Sequence, residues 1–347
     1  MDRLYMNYFE LIGFNGNENL KLLMGGAGSE RLTYTEKKIL FKKHVEIINL
    51  ELSYQCNRKC DYCPVSFSDR HGAQKYLDTS VLEKACQELA QIRYDNKISL
   101  NLYNEPLMDP TLESKIHTVR QYLPASHIGF NSNGDYLKLS RLITLSASGL
   151  DQICVTLHPL PNVTQTPETI LRRVTKLLNK LEYTAFDDKM SLSYIENHEL
   201  IDFRQLGVRV IIQWPDWRKH GTNRGGTLED HSSSNYKRIM PCARPFREFT
   251  IFYDGNVQPC CESFHDSDTN LEQVGNIATT SIFDLYTSKK LNLMRRSLYD
   301  FSPKQGICAS CTVADFSSIE DDPMRKALVK TVIKEAKKEK IDCYVNY

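Results

Sequence analysis

Residues 56–63 read CNRKCDYC, three cysteines at offsets of four and three, straight after an apolar run and with no fourth cysteine nearby. Three thiolates on one loop hold a cubane iron–sulfur cluster by three of its irons and leave the fourth open, as a catalytic zinc keeps one position for substrate. The competing chemistry is a zinc site completed by a distant His or Cys, because loop spacing does not by itself fix the metal. A second set, Cys242, Cys260, Cys308 and Cys311, lies in the last third of the chain. Four thiolates from two chain regions close a tetrahedral zinc or ligate every iron of a second cluster. Cys261 is left over, a packed thiol or a hydrogen-atom donor, and Cys86, Cys154 and Cys343 are scattered.

The chain of 347 residues contains 11 cysteines, a high number that in a reducing compartment argues for metal or redox chemistry over a disulfide framework. Its 41% hydrophobic and 25% charged residues are those of a globular protein with a large core. A net charge of +1 carries no signature of nucleic-acid or acidic-membrane binding. No apolar run has the length of a membrane span, and the first residues lack a signal-peptide apolar region. The expected location is cytoplasmic, with neither nucleic acid nor membrane as partner.

The elements that must position these cysteines alternate regularly. EIINLELSY (46–54) reads as a strand leading into the cysteine loop, and 79–92 as a helix behind an N-cap at Asp78. Strands at 97–104 and HIGFNSNG, then LDQICVTL, alternate with helices, the third of them ended by Gly149. A long helix follows, with Ile170, Val174, Leu177, Leu178 and Leu181 on one face. MSLSYI reads as a strand, 199–206 as a short helix, and VRVIIQW (208–214) as the sixth strand. Six strands in β–α alternation imply a parallel α/β sheet with right-handed crossovers, barrel-like or doubly wound, and two units short of a full eightfold barrel. The polar, glycine- and serine-rich stretch from Trp214 to Asn235 marks a boundary. Beyond it, Asp254-Gly255 reads as a hairpin turn delivering Cys260, and 322–340 as a terminal helix.

CNRKCDYC resembles the CxxxCxxC signature of the radical S-adenosylmethionine (SAM) enzymes, including the aromatic Tyr62 before the last cysteine. The resemblance implies a partial (β/α)6 TIM-like barrel in which Cys56, Cys60 and Cys63 bind a [4Fe–4S] cluster. The open iron would take the amino and carboxylate groups of SAM, and reductive cleavage by a flavodoxin- or ferredoxin-type reductant would give a 5′-deoxyadenosyl radical. YNEP at 103–106 is similar to the family's GGEP, so Glu105 would hold the SAM ammonium, with Asn104 beside it and Tyr103 and Asn104 in place of the glycines. Ser132 and Asn133, in SNG, resemble the TNG after the third strand. Cys154, Thr156 and His158 share one strand face; if that face lines the lumen, Thr156 and His158 meet ribose and substrate, and otherwise they are packing and turn residues. The family's glycine motif on the fifth strand is not evident in MSLSYIEN.

Residues 240–315 resemble the SPASM/twitch extension of these enzymes, in its short form with one auxiliary [4Fe–4S] cluster held by Cys242, Cys260, Cys308 and Cys311. The offset from Cys242 to Cys260 and the terminal CxxC are similar to those of aminocyclitol dehydrogenases within the family. The organisation expected is an N-terminal extension (1–45), a barrel (46–220), a small twitch-type iron–sulfur domain (221–320) and a C-terminal helix (321–347).

A carbon radical bearing a hydroxyl becomes a ketone on losing a proton and an electron, which a fully ligated second cluster can accept. Return of hydrogen from a thiol such as Cys261 gives an epimer instead. Residues 1–45 are too few for the recognition module that many peptide-modifying members carry, which favours a small polar substrate of aminocyclitol or sugar type. A peptide maturase is the alternative enzyme, and a metal scaffold or electron carrier the non-enzymatic one. Arg224, in NRGG, is a candidate to contact substrate or tune the auxiliary cluster, or else a solvated linker arginine.

Overall fold

The computed structural model describes residues 17–24, 31–72, 74–159, 163–215, 221–228, 237–264, 273–299 and 302–313. The expected helix at 322–340 and Cys343 lie outside these residues, as does part of the stretch 214–235. The chain divides into two compact units: residues 46–221 with 251–255, and residues 1–45, 222–250 and 256–347.

The first unit is an α/β layer built on β1 (Ile47–Leu50), β2 (Lys97–Ser99), β3 (His127–Ser132), β4 (Gln152–Thr156), β5 (Leu200–Gln205) and β6 (Val208–Gln213), in the order β5-β6-β4-β3-β2-β1. β1, β2, β3, β4 and β6 run parallel. Helices Thr79–Gln91, Leu112–Tyr122, Leu139–Ala147 and Pro167–Lys180 connect them. Asp78 caps the first by accepting the Ser80 N–H, and Gly149 follows the third at φ +98°. Ile170, Val174, Leu177, Leu178 and Leu181 are all buried, so the apolar stripe of the long helix is its packed face.

Residues 190–206 depart from the reading by alternation. MSLSYI is not a strand: Ser191 Oγ accepts the Tyr194 N–H and starts a helix at Leu192–Asn197. The expected helix at 199–206 is instead β5, whose buried Ile201 and Phe203 alternate with outward Leu200, Asp202 and Arg204. β5 pairs antiparallel with β6 through a two-residue turn in which Leu206 and Gly207 both have positive φ, +53° and +81°. The parallel series therefore has five strands, with an antiparallel strand on its edge.

β7 (Glu248–Ile251) leads through a turn at Gly255 (φ +79°) to β8 (Asn256–Gln258), the expected hairpin before Cys260, and β8 pairs with β9 (Gly275–Asn276); residues 251–255 group with the first unit and the flanking residues with the second. Helices Ile282–Tyr286 and Lys289–Tyr299 follow. Helix Tyr34–His44, within the expected N-terminal extension, groups with the second unit. Phe41, on helix Tyr34–His44, packs edge-on against Phe249, Phe283 and Tyr286 at 5.2–5.4 Å.

Candidate functional site

The loops that follow β1, β2, β3 and β4 carry the first site, at the strand ends where barrel enzymes place their chemistry. The cysteine loop is pinned by its backbone. The Cys56 N–H donates to the Arg70 carbonyl at 3.1 Å and the Cys63 N–H to the Cys60 carbonyl at 2.9 Å. Ser66 Oγ caps the Cys60 carbonyl at 2.5 Å, and the His71 ring meets the carbonyls of Cys56 and Val65 at 3.0 and 3.2 Å. Burial first, with help from Glu105, Cys63 and Cys60, pushes the Cys56 thiol up to about 12, so a cation must supply the drive to deprotonate it.

Glu105 is the centre of this region. Its carboxylate accepts from Ser132 Oγ (2.7 Å), the Asn133 N–H (2.7 Å) and the Leu107 N–H (3.1 Å), and its own N–H donates to the Gln55 carbonyl at 2.7 Å. Ser132, Asn133 and Glu105 thus form one knot. Burial lifts Glu105 to about 7 despite these donors. Asn104 turns aside: its Nδ2 donates to Ser53 Oγ and its Oδ1 accepts the Leu102 N–H, which closes the turn that the family's glycines would make.

Spacing did not reveal the clasp that joins the cysteine loop to β3. Arg58 is forked onto Asp135 at 2.8 and 2.5 Å, Asn57 Nδ2 donates to Asp135 at 2.8 Å, and Asn133 Nδ2 donates to Asn57 Oδ1 at 2.8 Å. Burial raises the Asp135 carboxyl, but Arg58 outweighs it and holds the group below its ordinary range. The only sequence signal was a charge on each side, inside CNRKC and directly after SNG.

Tyr62 and His158 meet. Tyr62 Oη lies 2.7 Å from His158 Nδ1, and the rings are stacked 27° apart at 5.8 Å. Thr156 Oγ1 accepts from Gln213 Nε2 at 3.0 Å. A side chain at Gly134 would strike Val155 and touch Leu177 of the long helix, so Val155 faces the helices and Cys154 and Thr156 the opposite side.

The second site lies in the other unit. One cavity is lined by Cys242, Cys260, Cys308 and Cys311 together with Arg238, Arg244, Glu262, Pro245, Pro259, Leu298 and Val313. The four thiols surround a shared space. That arrangement fits a multi-iron group, in which each thiolate takes its own iron. Cys261 does not line the cavity. Its Sγ is 3.0 Å from Arg244 Nη1 and its N–H donates to Glu248. Burial and Glu248 push its thiol well above the ordinary range, with Arg244 opposing.

Arg224 reaches this wall through Glu262, at 3.3 Å, which Thr222 Oγ1 also meets at 2.6 Å. Burial raises Glu262, and Arg224 and Arg244 more than offset it, so the carboxyl stays low. The stronger role in NRGG falls to Asn223, fully buried and bonded to Ser310 of the CASC segment and to Thr312 just after it. Arg224, Gly225 and Gly226 follow it at φ +49°, +63° and +87°, and a Cβ at Gly226 would come within 2.6 Å of Ser310 Oγ. The glycines allow this left-handed turn to lie against the cysteine loop.

Residues 50–184 match the radical SAM superfamily and residues 242–312 match SPASM, an iron–sulfur cluster-binding domain. The chain therefore carries a radical SAM domain followed by a C-terminal SPASM domain, and these domains imply SAM, an open cluster and auxiliary [4Fe–4S] chemistry. The S-adenosyl-L-methionine-dependent 2-deoxy-scyllo-inosamine dehydrogenase of Niallia circulans is 26% identical over 270 residues, 78% of this chain and 93% of that protein. The structure of BtrN in complex with AdoMet and 2-DOIA matches with a TM-score of 0.52 and 25% identity, covering 74% of this chain and 88% of that one. Native anSMEcpe with bound AdoMet matches at 14% identity and a TM-score of 0.44, over 84% and 97% of the respective chains. No helix among the described residues is long and apolar enough to cross a membrane.

Proposed function

We propose that this enzyme oxidises a hydroxyl-bearing carbon of a small aminocyclitol- or sugar-like molecule to a ketone. The observation that carries the proposal is the four-cysteine cavity, a donor set for a fully ligated second cluster. The similar dehydrogenase from Niallia circulans makes 2-deoxy-scyllo-inosamine the first compound to test. When bound, the open cluster supplies the electron that cleaves SAM, and the auxiliary cluster takes up the electron released as the substrate radical also loses its hydroxyl proton.

The chain's own residues divide the remaining work. Cys56, Cys60 and Cys63 hold the open cluster, and Cys242, Cys260, Cys308 and Cys311 the auxiliary one. Glu105 receives the SAM ammonium, Ser132 and Asn133 fix its carboxylate, and Asn104 shapes the turn beside it. Tyr62 and His158 form one wall of the cosubstrate pocket; β4 ends at Thr156, and His158 lies in the turn beyond it rather than on the strand face, its N–H donating to the Thr156 carbonyl at 2.9 Å. Arg224 acts on the auxiliary site by way of Glu262. A flavodoxin- or ferredoxin-type protein is the reductant.

A second reading, epimerisation, draws on Cys261. It is a thiol outside the cavity set, held by Arg244 and strongly inclined to keep its proton, as a hydrogen-atom donor must.

The test is iron and sulfide per chain after anaerobic reconstitution, for the wild type and for the chain with Cys56, Cys60 and Cys63 changed to alanine. About eight irons falling to about four supports one open and one closed cluster. About four falling to none removes the internal electron acceptor and sinks the dehydrogenase proposal. Turnover of 2-deoxy-scyllo-inosamine in deuterium oxide then separates the two reactions: a ketone supports dehydrogenation, and an epimer whose deuterium is lost with Cys261→Ala supports the second reading.

A further inference from the structure

Arg238 is among the largest fully buried side chains, 1% exposed, on the wall of the four-cysteine cavity. Its guanidinium reaches carbonyls on both halves of the cysteine set. Nε donates to Met240 at 3.1 Å and Nη2 to Pro241 at 2.8 Å, the two residues that precede Cys242. Nη1 donates to Cys311 at 3.3 Å and to Val313 just beyond it. The forked group thus ties the segment entering the site to the segment leaving it, a task for which the compact ammonium of lysine is the wrong shape.

The backbone of the same residue is anchored independently. Its N–H donates to Ala309 at 2.8 Å and its carbonyl accepts from Lys304 at 3.0 Å, so the chain path does not depend on the side chain. The side chain therefore adds two things: alignment of the ligand-bearing carbonyls, and a permanent positive charge in a space lined by four thiols.

We propose that Arg238 is a positioning residue for the auxiliary cluster and raises its reduction potential, making it a better electron acceptor. A [4Fe–4S] cluster with four thiolates carries charge −2 when oxidised and −3 when reduced. A buried cation on the wall favours the more negative state, and net charge and burial are among the levers that set such potentials. The inference rests on the proposed assignment of the four cysteines to this cluster.

The experiment uses the full chain carrying Cys56→Ala, Cys60→Ala and Cys63→Ala, so that only the auxiliary cluster reports. Iron per chain and midpoint potential, from an EPR-monitored redox titration, are compared for this parent, Arg238→Lys and Arg238→Met. Arg238→Lys is expected to keep the parent's potential with lower iron occupancy. Arg238→Met is expected to fall by about 60 mV, the one-electron equivalent of a tenfold change. If Arg238→Met takes up no iron, Arg238→Gln, which keeps two neutral donors for the carbonyls, is read in its place. A neutral variant with the parent's potential overturns the proposal and leaves the cluster assignment standing. A parent without iron overturns both.

Discussion

Asn223 and Thr312 hold each other reciprocally: the Asn223 N–H donates to Thr312 Oγ1 at 2.9 Å, and the Thr312 N–H donates to Asn223 Oδ1 at 3.1 Å. The Asn223 amide also donates to the Ser310 carbonyl at 2.5 Å, so one side chain braces the loop between Cys308 and Cys311 and the residue after it. Asn223→Ala strands the buried Thr312 N–H, at about 1–3 kcal/mol, and frees the half-buried Ser310 carbonyl at a smaller cost. The expected result is a lower unfolding midpoint and about four irons where the wild type holds about eight. SAM cleavage, which needs only the first site, continues. Denaturation and iron analysis on one anaerobic preparation check both, and unchanged iron would show that the brace is dispensable.

Glu105 predicts a pH dependence with a definite sign. Burial lifts its folded value to about 7 from an ordinary 4.5. Without SAM, the folded chain therefore binds the extra proton between those values. The contribution to stability is complete below 4.5 and lost as pH rises through 7. The N–H groups of the SAM amino nitrogen need the ionised carboxylate as acceptor, so SAM affinity is expected to rise with pH and level off above about 7. Glu105→Gln should bind SAM at least tenfold more weakly with a flat profile. Calorimetric titration across this range decides it; a wild-type affinity that does not change with pH removes Glu105 from the ammonium site.

The cysteine sets and the parallel sheet were legible because each rests on local pattern, thiol spacing in one case and apolar periodicity in the other. Residues 190–206 were misread for a physical reason. LSYIEN and LIDFRQ are both short with few apolar positions, and what separates them is the Ser191 cap and the paired positive φ at Leu206 and Gly207. Leucine is an unusual residue for such a turn, so no signal marked the hairpin. The bracing residues escaped for another reason. Arg58, Asp135, Asn223 and Arg238 act on partners distant in sequence, Asp135 77 positions from Arg58 and Thr312 89 from Asn223. In NRGG the eye falls on the arginine, whereas the structure gives the asparagine the buried work.

The pair Glu51–Arg70 supports the first cysteine loop from beneath. Nη1 lies 2.5 Å from Oε1, both side chains are fully buried, and the same carboxylate oxygen accepts the Tyr103 N–H at 2.9 Å. The guanidinium also sits 4.6 Å from the Tyr54 ring and 5.6 Å from that of Tyr253. Arg70→Met leaves a buried carboxylate without its cation, at about 3–5 kcal/mol. Glu51→Gln with Arg70→Met is expected to recover most of that loss, since no lone charge remains. Because the Arg70 carbonyl holds the Cys56 N–H, the single variant should also release iron to a chelator faster. A double variant no more stable than the single one would show that aromatic packing of Arg70, rather than charge pairing, is what matters.

Tyr62 and His158 make the last prediction. Burial, reinforced by Cys60 and Cys63, pushes the Tyr62 phenol far above its ordinary range, so it keeps its proton, and the expected arrangement is that it donates to His158 Nδ1. The imidazole must then carry its own proton on Nε2, which makes that nitrogen a donor toward whatever occupies the pocket. Tyr62→Phe retains the stacked ring and removes only the hydroxyl, at about 0.5–1.5 kcal/mol of stability. Iron content should be unchanged, SAM affinity should fall several-fold, and the ring should lose its single tautomer. Nitrogen-15 spectra of His158 at alkaline pH show the mixture directly. If they show Nδ1 protonated in the wild type, the hydrogen bond runs the other way and Nε2 is an acceptor.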